Sequence, residues 1–237
     1  MSAANTTRWI GVGLLGLPLY GVLTFFSSLD PQPDPNTDYE AWAYYVSTNY
    51  YVLKHLFASI VGLVFALFGT IALGAYLSRS RAGRTGMWAM VITVFGYALF
   101  LTVQGVATFA SPGEGQAYLA GYEEFAEIAA TGFAVTAQTL TILLFTVLLL
   151  VGNVLLGAAI WRSGTLPRWA GALWAAGAVL MLLLGQVVAI FITSSTPVTV
   201  LVGAVLLVIS GGWIAWSVLR KPSAGAVGVH QAQPRVR

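Results

Sequence analysis

The sequence predicts an all-α, polytopic membrane protein with six transmembrane helices and an internal parallel repeat. Of its 237 residues, 58% are hydrophobic and 8% are charged, whereas a soluble domain carries roughly 25% charged residues. Six continuous apolar runs are long enough to cross a hydrocarbon core, which needs roughly 20 residues of helix, and unbroken runs favour helices over barrel strands. The predicted spans cover residues 9–28, 55–78, 87–110, 137–161, 169–193 and 198–219.

The chain also repeats itself. Residues 38–80 align with 121–163 at a constant offset of 83, and 13 of the 43 positions are identical. Each copy predicts an outer amphipathic helix, a span, a tight basic turn and a returning span. Because the two copies have the same orientation, the repeat is parallel, with its axis along the membrane normal. We expect the first copy over about 38–112 and the second over about 121–197.

The first apolar run is predicted to be a retained helix. It follows Arg8, as in a signal peptide, but it is about 20 residues long and lacks a convincing cleavage site before Asp30. Pro18 lies inside the run and is expected to bend the helix, since proline removes one backbone hydrogen bond. Spans one and six would then flank the four helices of the repeat. Residues 1–220 form one membrane domain, and 221–237 are expected to be a disordered cytoplasmic tail.

An outer helix is predicted to follow the proline-rich connector at residues 30–36, which has three prolines and cannot be helical. Thr37 with Glu40 matches a capping box at the start of that helix. An aromatic face follows at spacings of three and four residues, as is typical of a membrane interface. Its members include Tyr39, Trp42 and Tyr45, and the second copy carries Phe125 on a similar face.

Charge segregation predicts the topology. The basic residues fall on alternate connections and at the termini: Arg8, Arg79, Arg81, Arg84, Arg162, Arg168, Arg220, Lys221, Arg235 and Arg237. The acidic residues fall on the opposite side: Asp30, Asp34, Asp38, Glu40, Glu114, Glu123, Glu124 and Glu127. The positive-inside rule then places both termini and the turns at 79–86 and 162–168 in the cytoplasm. Lys54 breaks the pattern, and we expect it to pair with an outer carboxylate or to extend to the headgroups.

The sequence offers little chemistry for catalysis. It has no cysteine, which excludes disulfides, thiol catalysis and thiolate-held clusters. The predicted span cores contain no ionisable residue, which argues against a proton-coupled pump or a voltage sensor. No nucleotide-binding loop, metalloprotease motif or nucleophile motif is present. The protein is therefore not expected to be an enzyme, and its cofactors, if it has any, are not identified by the sequence.

Four polar residues are predicted near the outer ends of the spans. His55 and Gln138 are repeat mates, and Gln104 and Gln186 are near-mates at an offset of 82. Three interpretations stay open: hydrogen bonds between helices or to headgroups, an outward-facing pocket for an amphipathic ligand, and a metal or haem ligand role for His55. The pocket would be covered by aromatic side chains of the outer helices, namely Tyr39, Trp42, Tyr45 and Phe125.

The inner turn Arg162-Ser163-Gly164-Thr165-Leu166-Pro167-Arg168-Trp169 resembles uncharacterised bacterial multi-pass membrane families, which are domains of unknown function. The resemblance implies the cytoplasmic (inner) membrane of a bacterium and brings no substrate or catalytic residue. The turn also has a physical logic of its own. Pro167 suits the first position of a helix, where its missing N–H has no intrahelical partner to lose.

These observations predict a non-catalytic integral membrane protein, either a binding protein or an accessory or scaffold subunit, with an outward-facing pocket for a lipid or another amphipathic ligand. The alternative is a small-solute transporter built from parallel repeats. The expected partners are the lipid bilayer and a partner membrane protein or further copies of the chain. Nucleic acid is not expected as a partner. The basic residues behind the net charge of +3 fall on one predicted side of the membrane, as the positive-inside rule describes.

Overall fold

The computed structural model describes residues 3–122, 124, 133–185 and 198–220, and all regular secondary structure within those ranges is helical. The α-helices are α1 Ala3–Leu14, α2 Gly16–Ser27, α3 Tyr39–Val46, α4 Asn49–Lys54, α5 Val61–Leu77, α6 Gly83–Phe109, α7 Ser111–Leu119, α8 Phe133–Arg162, α9 Arg168–Ala178 and α10 Val198–Leu219. Two π-helical segments join consecutive α-helices: the first π-segment is His55–Ile60 and the second is Val179–Leu184.

Five helical stretches in this part of the chain are long and apolar enough to cross a membrane. They are Arg8–Ser27, Asn49–Leu77, Gly83–Leu119, Ala134–Arg162 and Val198–Leu219. A shorter apolar stretch, Arg168–Leu184, occupies the first part of predicted span five. The remainder of that span lies outside the described residues, as does the predicted tail at 221–237. The all-helical, multi-span prediction is confirmed to this extent.

Span one is interrupted where the proline predicts a bend. Helix α1 ends at Leu14 and α2 begins at Gly16. Pro18 has no N–H to donate to the carbonyl of Leu14, and its ring would clash with that group. The Leu15 N–H instead reaches back to Val12 at 3.1 Å, in a tighter turn. The two halves of span one therefore form separate helices within one membrane-crossing stretch.

The outer connection differs in detail from the sequence prediction. The side chain of Asp38, rather than Thr37, caps α3 by accepting from the Ala41 N–H at 2.9 Å. Thr37 instead donates to the carbonyl of Asp34. Helix α7 was not predicted; its Pro112 lies in the first turn, where proline is tolerated because the N–H groups there have no intrahelical acceptor.

The spans pack in chain order around a common axis. The pair α1–α2 packs on α5, α5 on α6, α6 on α8, α8 on α9, and α9 on α10, which returns to α2. Glycines permit the closest approaches: a Cβ on Gly157 would lie 2.6 Å from the carbonyl oxygen of Gly171, where α8 crosses α9. The core inside this ring is formed by buried side chains such as Leu17, Leu149 and Trp174.

The ring changes the arrangement expected from the repeat. Because α2 contacts both α5 and α10, and α10 contacts α9, spans one and six lie between α5 and α9 rather than outside a closed four-helix group. The hairpins α5–α6 and α8–α9 are both present. Most of the second outer helix falls outside the described residues, so the parallel repeat itself stays a prediction.

Candidate functional site

A cavity of about 210 Å³ opens in the centre of the ring. It lies at the end of the bundle where α2 and α6 terminate and α10 begins, which is the predicted outer end. Five of the six predicted spans contribute to its wall. The lining residues are Tyr20, Thr24, Ser27, Ser28, Ala58, Ser59, Leu63, Phe100, Gln104, Met181, Leu182 and Val200. Its position on the axis makes it the strongest candidate site within the described residues.

The wall of this axial cavity is divided into a polar and an apolar part. Hydroxyls of α2 and of the first π-segment, together with the Gln104 amide, form the polar part. The buried Oε1 atom of Gln104 lies beside the His55 imidazole, which is within hydrogen-bonding reach of it. The protein therefore supplies a donor for this oxygen.

Both π-segments border the axial cavity. The first contributes Ala58 and Ser59, and the second contributes Met181 and Leu182. A π-helix is rare, because it lengthens the hydrogen-bonded ring from i→i+4 to i→i+5, and such segments occur frequently at functional sites. Two of them on opposite sides of one cavity indicate that the helices are locally distorted around this site.

A chain of polar side chains continues from the cavity towards the other end of the bundle. The Tyr20 hydroxyl is paired with Thr24 and Tyr97, and the Tyr97 hydroxyl is paired with Asn153. Asn153 in turn accepts from the Trp174 indole N–H at 3.0 Å. These residues come from four different spans, and apart from the cavity-lining Thr24 they are buried.

Tyr20 and Tyr97 separate the axial cavity from the space below it. Their rings meet edge to face with centroids 5.5 Å apart. Beneath them a void of about 10 Å³ lies beside Asn153, which is close to the minimum of roughly 10–15 Å³ that one water molecule needs. Tyr20, which lines both spaces and packs on Tyr97, therefore forms the floor of the axial cavity.

Comparison with protein-family models, with curated proteins and with solved structures finds no match. The candidate site consequently rests on the geometry of this chain alone.

The four predicted polar residues do not all lie at the axial cavity. Gln104 lines the axial cavity, and the His55 imidazole lies beside it. The imidazole stacks on Tyr51, with ring centroids 4.1 Å apart, and lies within hydrogen-bonding reach of the Gln104 side chain. Gln138 is exposed on the outer surface of α8 and does not line the cavity. Gln186 lies outside the described residues.

The predicted aromatic cover lies elsewhere. Trp42 belongs to a separate apolar cluster, packed with Tyr39, Tyr45 and Tyr118. This outer cluster joins α3, α4 and α7, and none of these side chains lines the axial cavity. Phe125 lies outside the described residues. The ligand-binding role of these aromatic residues stays a prediction, although their position assigns them a structural role in holding the outer helices together.

Tyrosine hydrogen bonds and an ion pair stabilise the outer cluster. The Tyr39 hydroxyl donates to Glu114 at 2.9 Å, and the Tyr45 hydroxyl donates to Asp30 at 3.1 Å. The Lys54 ammonium lies 3.6 Å from the Asp30 carboxylate and donates to the Asp30 carbonyl and the Tyr45 hydroxyl. The expected pairing of Lys54 with an outer carboxylate is confirmed. Within the described residues, no three His, Asp or Glu side chains converge as metal ligands would.

The outer cluster is expected to weaken at alkaline pH. Burial, reinforced by the neighbouring carboxylate, raises the pKa of Tyr39 and of Tyr45 well above the usual value near 10. A raised pKa in the folded state means that this stability is fully present below about pH 10 and is lost as the pH rises towards the folded-state pKa. An alkaline titration of tyrosinate absorbance should show Tyr39 and Tyr45 among the late-ionising tyrosines. Glu114→Gln should shift one of them to lower pH, and an unchanged titration would contradict the assignment.

Sequence reasoning missed most of the axial site. The sequence does not single out Tyr20, Thr24, Ser59 or Tyr97. The available signal was the presence of hydroxyl groups in the outer halves of several spans. Such residues also occur in spans as simple interhelical hydrogen-bonding groups, so only their convergence on one axis distinguishes them.

Proposed function

We propose that this protein is a non-catalytic integral membrane protein that binds an amphipathic ligand in its axial cavity. The observation that carries the proposal is a cavity of about 210 Å³ that is lined from five predicted spans and combines hydroxyls and an amide with apolar side chains. A concave, mostly apolar space with a few converging polar groups is the usual form of a small-molecule site.

The division of the wall supports an amphipathic ligand. Thr24, Ser27 and Ser59 offer hydroxyls to the cavity, while Leu63 and Phe100 offer apolar surface one helical turn along from Ser59 and Gln104. A polar head can hydrogen-bond to the first group while the adjoining carbon atoms contact the second. A purely polar solute would leave the apolar surface unused, and a pure hydrocarbon would offer no hydrogen bond to the hydroxyls.

The proposal is tested by filling the cavity. Ala58 lines it, whereas Ala98 is exposed on the outer surface of α6. The probes are diazirine-bearing C16 amphiphiles with an alcohol, carboxylate or trimethylammonium head, photolysed with the protein in lipid nanodiscs. At least one probe should label the peptides around the two π-segments. Ala58→Phe should reduce that labelling to background, because a phenylalanine side chain occupies much of 210 Å³.

Ala98→Phe is the matched control, since it adds the same ring on the outer surface of a neighbouring span. It should leave the labelling unchanged. If no probe labels the cavity peptides of the wild-type protein, or if both variants label equally, the binding function is refuted.

A second candidate function is transport of a small solute. The observation that favours it is the axial polar chain below the cavity, in which Tyr97 and Asn153 continue the path beyond the Tyr20–Tyr97 floor. Transport requires the Tyr20 and Tyr97 rings to separate, whereas static binding does not. Photolabelling of the half of α8 that follows Asn153 would favour transport, and labelling confined to residues above Tyr97 would favour binding.

We propose that the protein lies in the bacterial inner membrane with both termini in the cytoplasm, on the basis of the charge segregation. The cysteine-free chain allows single-cysteine labelling. Ser78 follows α5 on the predicted inner side, and Gln116 lies in α7 on the predicted outer side; both are exposed. An impermeant maleimide applied to intact spheroplasts should modify Gln116→Cys and leave Ser78→Cys unreacted. The reverse pattern would invert the topology.

A further inference from the structure

We infer that a groove on the lipid-facing side of the ring binds one acyl chain of an anionic phospholipid, whose headgroup is held by Arg8 and Arg79. This lateral groove has a volume of about 820 Å³ and is lined from residues 6–19 of α1–α2 and residues 65–75 of α5. It shares no lining residue with the axial cavity. The inference is therefore independent of the ligand proposed for that cavity.

Close contact between α1–α2 and α5 shapes the lateral groove. A Cβ on Gly13 would lie 2.8 Å from the Cβ of Ala72, and a Cβ on Gly16 would meet the carbonyl oxygen of Phe65. Because these glycines have no side chain, the line of contact between the helices stays open on its outer side. Phe68 stands beside it and is 61% exposed. The result is a trough that faces the surrounding bilayer.

The lateral groove extends over the depth of one membrane leaflet. Its α5 wall runs from Phe65 to Ala75, which is about 15 Å at the rise of an α-helix. Half of a hydrocarbon core of roughly 30 Å has the same length. Helix α5 ends at Leu77, so the groove occupies the half of the span next to the basic turn. Its lining is apolar apart from Thr6. These dimensions suit an acyl chain of the leaflet on the basic side.

Two arginines flank the basic end of the lateral groove. Arg79 lies one helical turn beyond Ala75, Arg8 immediately precedes Trp9, and both arginines are exposed. The single ion pair among the described residues lies at the other end of the bundle. All eight Asp and Glu residues of the sequence fall on that predicted outer side as well. A headgroup with net negative charge would supply the missing partner, whereas a zwitterionic headgroup carries its own cation.

The walls of the lateral groove favour a lipid chain over a second transmembrane helix. Spans associate through small residues that let two backbones approach closely. Gly13 and Gly16 are already used in the contact between α1–α2 and α5. The outward edges carry the large, exposed side chains of Trp9, Leu19 and Phe68. These side chains would hold a docked helix away from the floor, while a flexible acyl chain can lie between them.

The experiment compares two phospholipids that carry the same diazirine-bearing acyl chain, one with an anionic phosphatidylglycerol head and one with a zwitterionic phosphatidylcholine head. Each is added at the same low mole fraction to nanodiscs of unlabelled phosphatidylcholine that hold the wild-type protein. After photolysis, the anionic lipid should label peptides from 9–19 and 65–75 at least about fivefold more than the zwitterionic one, as expected for one arginine paired with the headgroup.

The exposed face of α8 around Val147 and Val151 is the internal control, and the two lipids should label it about equally. Equal labelling of the groove peptides by the two lipids overturns the inference. Groove labelling that is weaker than α8 labelling for both lipids also overturns it, and a second copy of the chain would then be the alternative occupant.

A matched pair of variants tests the headgroup contact. Arg79→Gln should lower anionic-lipid labelling of the groove about two- to fivefold and leave zwitterionic-lipid labelling unchanged. Arg84→Gln removes the same charge from the same basic turn, but Arg84 belongs to α6, which does not line the groove. It should change neither labelling. An equal effect of the two substitutions overturns the inference, because the preference would then come from general surface charge. The comparison of the two lipids uses only the wild-type protein, so it holds even if a variant fails to fold.

Discussion

Replacing Gly211 by alanine is expected to destabilise the protein by about 1–3 kcal/mol, the usual cost of inserting a methyl group into a tightly packed contact. Gly211 lies where α10 crosses α2. A Cβ at this position would lie 2.9 Å from the Pro18 nitrogen and 3.0 Å from the Leu17 carbonyl carbon. Both are backbone atoms and cannot turn aside as a side chain could, so the two helices must move apart. Thermal unfolding of the purified protein in nanodiscs would measure the loss.

The neighbouring glycine provides the control. Gly212 is in the same helix, and a Cβ there would meet no atom within 4 Å. Alanine is a better helix former than glycine by roughly 0.5–1 kcal/mol, so Gly212→Ala should be neutral or slightly stabilising. Equal unfolding temperatures for the two variants would show that the crossing of α2 and α10 is not as close as described. This contact closes the ring, and the same two helices form part of the wall of the axial cavity.

Replacing Asn153 by leucine is expected to cost about 1–2 kcal/mol, the range for a polar contact between spans. Asn153 is buried, accepts from the Trp174 indole at 3.0 Å and donates to the Leu149 carbonyl at 2.8 Å. Leucine would leave the Trp174 N–H without an acceptor inside the protein, and the Tyr97 hydroxyl would lose a partner. Unfolding in nanodiscs is again the appropriate measurement.

A double-mutant cycle separates the hydrogen bond from general packing. Trp174→Phe removes the donor, so Asn153→Leu should cost less in that background than in the wild type. Contacting residues typically show a coupling of roughly 0.5–3 kcal/mol. Additive costs would mean that the Asn153–Trp174 pair contributes through volume alone. Because Tyr97 links this pair to the floor of the cavity, both single variants should also change the protection of Tyr20 and Tyr97 backbone amides in hydrogen exchange.

The two polar regions at the predicted outer end have separate roles. The outer cluster carries the charged groups. Lys54 pairs with Asp30, and Asp30 and Glu114 accept hydrogen bonds from Tyr45 and Tyr39. The described lining of the axial cavity contains hydroxyls and an amide but no charged side chain. Charges that are already paired stabilise the fold, while uncharged polar groups around a cavity can hydrogen-bond to a bound molecule. This difference, rather than the aromatic content of the outer helices, locates the candidate site.

The sequence by itself determined the class of the protein and the position of its helices along the chain. Span six was predicted over 198–219 and is observed as Val198–Leu219, and the break before Pro18 follows from the missing N–H of proline. These features depend on local composition, on helix length and on the chemistry of single residues. They are independent of how the helices are rotated about their own axes.

Only the tertiary structure decided which residues face the axis. Gln104 and Gln138 have the same side chain at a similar predicted height, yet Gln104 lines the axial cavity and Gln138 is exposed. In a soluble protein the polar face of a helix would distinguish them, but a span in a bilayer is apolar both towards lipid and towards its neighbours. Hydropathy therefore does not report helix rotation. The close approaches at Gly157, Gly171 and Gly211 set that rotation, and they become visible only when the helices are packed.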